Sequence, residues 1–145
     1  MTYRTALGTA GWDRPEWADT FYPSDMPHEW RLTYYNTQFH CVFLAAPDWR
    51  RAGDDAYAAW AADVHDQFVF LLEDALPEDL PQALAGRALG VARDDPRLLW
   101  FDRETLLKAL ATQLAGRVAP LYLLSRDGDM GQIERVRTLL ELLGL

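Results

Sequence analysis

An α/β fold built on a mainly parallel sheet of about five or six strands is what this sequence predicts, and three observations predict it. Short apolar runs rich in Val, Phe and Leu alternate with segments whose apolar residues recur every three or four positions. The runs are nearly continuous rather than alternating, as in Phe39 to Ala45, which marks strands buried on both faces. Strand then helix, repeated, is joined by right-handed crossovers into a parallel sheet.

Tyr3 to Gly8 reads as the first strand, with Gly8 and Gly11 allowing a sharp turn after it. A loop rich in Pro and Trp leads to a helix in which Asp25 caps, Pro27 sits in the first turn, and Met26, Trp30 and Tyr34 form the buried stripe. Phe39 to Ala45 is the second strand, bounded by Pro47-Asp48. Ala56, Tyr57, Trp60, Ala61 and Val64 place an amphipathic helix over about Gly53 to His65. Phe68 to Leu72 is the third strand, Pro77 to Gly86 a short helix with Leu80 and Leu84 inward, Ala88 to Ala92 a fourth strand, and Leu98 to Phe101 a fifth. Asp102 is expected to cap a helix from Arg103 to Ala115 with Leu106, Leu107, Leu110 and Leu114 as its stripe and Gly116 as its stop. Val118 to Ser125 is a strand. Asp129 then caps a helix with Gln132 in capping-box position, Ile133, Val136, Leu139, Leu140 and Leu143 apolar, and Gly144 ending it.

The 145 residues suit one domain, residues 1–145, with half hydrophobic and a quarter charged. Fourteen Lys and Arg against 22 Asp and Glu give a net charge of −8, which disfavours nucleic acid, since a phosphate backbone is held mainly by positive charge. The single Cys41 falls in a buried run and reads as a small core residue, so an internal disulfide is excluded. Neither an apolar signal core nor a run of about 18 apolar residues occurs, so no membrane association and a cytoplasmic location are expected.

Three blocks carry a family resemblance. Leu7-Gly8-Thr9-Ala10-Gly11-Trp12-Asp13-Arg14-Pro15-Glu16-Trp17, closed by Phe21-Tyr22-Pro23, is similar to the opening of the YecE-like family, a domain of unknown function numbered seventy-two. Glu29 to Tyr35 leading into Phe39-His40-Cys41-Val42 resembles its Tyr-bearing helix and second strand, and Trp60 followed by Phe68-Val69-Phe70 resembles its Trp helix and Phe-x-Phe strand. The chain looks like a shortened, divergent member. Where the family usually has Glu-Ile-Asn after the second strand begins, Phe43-Leu44-Ala45 stands here, and Glu73 replaces a usual Lys. A pocket using that Glu and Lys as a pair would be degenerate in this chain.

The resemblance implies a (β/α) barrel, which takes about 250 residues, or roughly 31 per strand–helix unit. On that arithmetic 145 residues make about five units, so a closed eight-stranded barrel is not expected. A truncated barrel or an open three-layer sheet is, with the open sheet favoured and a homodimer expected to cover what is missing.

In parallel α/β folds ligands collect at the carboxyl ends of the strands. That topology nominates Thr9, Trp12, Asp13, Glu16, Asp48, Trp49, Arg50 and Arg126 as ligand-binding candidates, with Glu73, Asp74, Asp94, Asp95, Asp102 and Asp127 on the same rim. Asp13 and Glu16 suit acid–base work or a hard metal such as magnesium, although a turn cap at Asp13 and a solvated Glu16 is the plainer account. Gly8-Thr9-Ala10-Gly11 lacks the Lys and hydroxyl of a P-loop, and Asp127-Gly128-Asp129 lacks the other ligands of a calcium loop. The histidines, 28, 40 and 65, fit no metal spacing, with His40 the one to watch. Of the aromatics, Trp12 or Trp49 is expected in the cleft, and Trp17 and Trp30 in the core. No cofactor is implied. The expectation is a binding or interaction domain with a small-molecule or protein ligand; the competing one is a small enzyme acting on a phosphorylated, sugar-like or nucleobase ligand, clamped by Arg50 or Arg126.

Overall fold

Six strands send alternate side chains to opposite sides of one sheet, and the two sides differ in kind. They are β1 (Thr5–Ala10), β2 (Cys41–Leu44), β3 (Val69–Glu73), β4 (Ala88–Val91), β5 (Leu98–Phe101) and β6 (Leu121–Ser125). The computed structural model describes residues 5–117 and 121–145; Tyr3 and Arg4 of the expected first strand, and Val118 to Pro120 of the last, lie outside the described residues. All five pairings are parallel, in the order β4-β3-β2-β1-β6-β5.

One face buries Leu7, Val42, Leu44, Phe70, Leu72, Leu99, Phe101, Leu121 and Leu123 against helices. The other gathers Cys41, Phe43, Leu71, Val91, Leu98 and Leu124, with Ala6, Ala10 and Trp100 beside them, and every member of that cluster comes from a strand. A sheet whose second face packs only on itself is curled, and this one forms a half-barrel. Of the two expected architectures it is the truncated barrel; the favoured open sheet with helices on both faces is not what forms. The inward face of β1 is Ala6, Gly8 and Ala10, small enough to let the facing strands approach. A methyl group on Gly8 would stand 2.2 Å from the Cys41 carbonyl oxygen.

The link from β4 to β5 enforces the curl. Residues 92–97 join two strands at opposite edges of the sheet, and so short a segment reaches only about 20–25 Å. Val91 and Leu98 consequently share the inner cluster, and the Trp100 indole N–H donates to the Arg93 carbonyl at 2.9 Å.

Helices α1 (Arg31–Gln38), α2 (Ala46–Arg51), α3 (Asp54–Asp63), α4 (Leu107–Ala115) and α5 (Met130–Leu143) complete the regular structure. From α1, the buried Tyr35 hydroxyl accepts the Thr9 N–H at 3.0 Å and donates to the Cys41 carbonyl at 2.7 Å, tying β1 and β2 from behind. Trp17 stacks on Phe39 and donates to the Gly128 carbonyl at 2.9 Å, while Arg14 reaches the carbonyls of Ala10, Arg126 and Asp127. The loop after β1 is thereby fastened to the loop after β6. Among the described residues no helix is long and apolar enough to cross a membrane.

Several expected elements change. The helix assigned to begin at Asp25 begins at Arg31, because Pro27 is extended and Asp25 has a left-handed φ of 65°; Trp30, expected in the core, is 61% exposed. Helix α2 was not expected: Pro47, read as a strand boundary, occupies the first helical turn, where its missing N–H has no intrahelical partner to lose. Pro77 to Gly86 forms two short 3₁₀ turns instead of a helix, since Pro81 in a continuous helix would clash with the Pro77 carbonyl. Asp102 does not cap a helix from Arg103. Its carboxylate accepts the Glu104 N–H and its own N–H donates to the Thr105 hydroxyl, a local turn that delays α4 to Leu107 and leaves Leu106 exposed. Asp129 caps α5 as expected, but the Gln132 side chain does not close the box: its amide donates to the carbonyls of Asp102 and Thr105. Leu143 is exposed; Gly144, at φ 71°, ends the helix.

Candidate functional site

Several hollows open at the carboxyl end of the sheet. The first, about 320 Å³, is lined by Gly11, Trp12, Asp13, Leu44, Asp48, Arg51 and Trp60. Gly11 turns the chain with φ 79° as β1 ends, which carries Trp12 outward to meet Trp60 of α3 edge to face, 5.1 Å between ring centres. Asp13 is fixed from behind: Arg31, 9% exposed, donates to Oδ1 at 2.5 Å, and His28 Nδ1 lies 3.1 Å away. Asp48, in the first turn of α2, pairs with Arg51 at 2.9 Å. Two tryptophans and two half-exposed carboxylates therefore face one space, which Arg51, the partner of Asp48, also lines.

The second hollow is the mouth of the half-barrel itself, about 350 Å³, lined by Arg93, Asp94, Trp100 and Arg126. Its floor is Phe43 against Trp100, ring centres 5.0 Å apart at 78°. Arg93 lies over both rings, at 4.9 and 5.8 Å, and Arg126 over Trp100 at 5.7 Å. Glu73, the inward residue at the end of β3, accepts the Ala46 N–H with one oxygen and Arg93 Nε with the other. Those two bonds, the backbone one foremost, hold its carboxyl below the usual carboxylate range. Asp102 accepts Arg126 Nη1 at 2.9 Å.

The nominated residues divide. Trp12, Asp13 and Asp48 meet in the first hollow and Arg126 lines the mouth. Glu16 faces a different depression, with Thr20, Arg103 and Asp129, so it does not pair with Asp13. Thr9 is fully buried, its hydroxyl donating to the Gly11 carbonyl. Trp49, proposed as an alternative to Trp12 in the cleft, is buried and donates to the Glu73 carbonyl; Arg50 covers its ring and reaches the Asp74 carbonyl. His40 lies at the amino end of the sheet. Among the described residues no group of three His, Cys, Asp or Glu is arranged to hold a metal ion. Cys41 is wholly buried, and burial pushes its thiol pKa up.

Trp60, Arg51, Arg93 and Trp100 were not singled out as site residues. Trp60 reads as helix stripe, which it also is; Arg51 and Arg93 sit in stretches dense with charge. For Trp100 the inward turn follows from strand alternation, but the gap it looks across depends on the β4–β5 edges meeting.

Against known proteins, the profile of the family described as "Protein of unknown function DUF72" matches residues 6–74. Just under half of the chain is thus similar to that family. The crystal structure of a DUF72 family protein from Thermotoga maritima is similar at a TM-score of 0.46 and 13% identity, over 86% of this chain and 55% of that one, so the chain spans about half of that protein's length. No curated protein sequence matches the chain.

These two hollows stand differently to the matched residues 6–74. Every residue of the Trp12 hollow lies within the matched residues 6–74, whereas the mouth joins Phe43 and Glu73 from those residues to Arg93, Asp94, Trp100 and Arg126 beyond them. Phe43 and Glu73 converge on Arg93: one ring beneath its guanidinium, one carboxylate on its Nε.

Proposed function

We infer that the chain is a binding domain rather than a catalyst, and that its ligand is a small hydroxylated molecule, a sugar or polyol, seated in the Trp12 hollow. The observation that carries the reading is the meeting of Trp12, Trp60, Asp13 and Asp48 around one space. Indole faces cover the apolar C–H side of such a ligand, and carboxylates accept its hydroxyls. Catalysis is disfavoured by the same geometry. Asp13 is committed to Arg31 and His28, and the second carboxylate of the opening motif, Glu16, looks elsewhere.

The test is a titration with a panel of sugars and polyols read by Trp fluorescence and thermal unfolding. A ligand at a hundred times its Kd should raise Tm by about 5–11 °C. Asp48→Asn is the clean variant, because Asp48 is exposed and pairs only with exposed Arg51, whereas Asp13→Ala strands the buried Arg31. The reading fails if no member of the panel shifts Tm, or if a turnover is found that Asp48→Asn or Asp13→Asn abolishes with the fold intact.

A further inference from the structure

The mouth of the half-barrel has a surplus of hydrogen-bond donors. A guanidinium offers five N–H groups and is charged at every accessible pH. Of those on Arg93 the structure engages the one on Nε, through Glu73; of those on Arg126 it engages Nη1, through Asp102. The two carboxylates are the reverse case. Glu73 is occupied by the Ala46 N–H as well as Arg93, and Asp102 by the Glu104 N–H, the Thr105 hydroxyl and Arg126. Each acid therefore orients one arginine, while both arginines, 55% exposed, keep donors facing the hollow.

The two cations also share one anchor. Each lies within 5.8 Å of the centre of the Trp100 ring, so they stand no more than about 12 Å apart. Beneath them the interior is closed by Phe43 and Trp100, an apolar floor that supplies no competing acceptor and limits water. Pairing with Glu73 and Asp102 accounts for one N–H of each guanidinium and the aromatic floor for their ring contacts, which leaves the remaining N–H groups of both to an outside acceptor.

We propose that this mouth binds a small dianion, a phosphate ester or a dicarboxylate, between Arg93 and Arg126. The site is separate from the Trp12 hollow and does not depend on it. Asp94, the remaining residue of the lining, opposes an incoming anion, and Glu73 and Asp102 already offset the charge of the two arginines, which together limit the affinity.

The chain is titrated with inorganic phosphate and, separately, with succinate, each against sodium chloride of equal ionic strength. Binding should raise Tm by about 5–11 °C at a hundred times Kd. Phosphate alone acting assigns a phosphoryl ligand; both acting assigns small dianions as a class. Arg93→Gln and Arg126→Gln should each weaken binding about tenfold or more, as expected for losing charge-assisted hydrogen bonds. Arg87→Gln, at the amino end of β4, should leave it unchanged. The proposal is overturned if neither anion exceeds the salt control, or if the Arg93→Gln/Arg126→Gln double variant binds as the parent does. Should that variant not fold, Asp94→Asn decides: affinity for phosphate rises about fivefold, and an unchanged affinity overturns the site.

Discussion

The two faces of the sheet are held together by different physics. The outer face is aromatic and cross-braced: Trp17, Tyr35 and Phe39 stack, and the Tyr35 hydroxyl and Trp17 indole each reach a backbone carbonyl across elements. The inner face is a plug of strand side chains with no helix on it, capped at one end by Arg93 and Trp100. The contrast teaches where stability and where adaptability reside. Stacked rings with satisfied polar tips allow one arrangement, whereas a plug of mixed strand side chains between two unpaired edges tolerates repacking.

The largest expected effect lies on the outer face. Trp17→Ala removes a 2%-exposed ring and its bond to Gly128, and should cost about 3–5 kcal/mol in denaturant unfolding. Leu71→Val, deep in the inner plug, should cost under about 1.5 kcal/mol. An equal loss at the two positions would erase the distinction. Between them stands Tyr35→Phe, which leaves the buried Thr9 N–H and Cys41 carbonyl each without its side-chain partner and should cost about 1–3 kcal/mol.

Acidity probes the rim where the faces meet. Glu73 has a folded pKa below its unfolded value, so its contribution is present above the unfolded pKa and is lost as pH falls through the folded one. Asp95 and Asp127 share that direction. Tm should therefore drop on acidification below about pH 4.3, and Glu73→Gln should flatten part of that drop in a pH series of melting curves. The smallest effect is expected at Leu142→Ser, 80% exposed on α5, within about 0.5 kcal/mol of the parent.

What the sequence disclosed follows the same division. Strands were legible because burial on both faces leaves no polar position in a run such as Cys41 to Leu44, and α5 because Asp129 and Gly144 mark its ends by local chemistry. Helix starts were not, where a local hydrogen bond competed: Asp102 looks like a cap in sequence and closes a turn in the fold. In the site, Trp12, Asp13 and Asp48 could be placed by the rule that loops converge at strand ends. The mouth could not, because Arg93 meets Phe43 and Trp100 only when a sheet of six strands curls until its first and last edges face each other, and no periodicity encodes that closure.

The position of β1 has a consequence for synthesis. It is made first yet lies in the middle of the sheet, and β6, its partner from Thr5–Leu121 to Thr9–Ser125, is made more than a hundred residues later. At about 5–20 residues per second, a ribosome leaves that edge of β1 without its strand for roughly 6–25 s. During that interval the nascent chain shows an unfilled row of amide and carbonyl groups, the surface on which chains join one another. Yield in cells should accordingly depend more on translation speed and chaperone supply than the stability of the finished protein suggests.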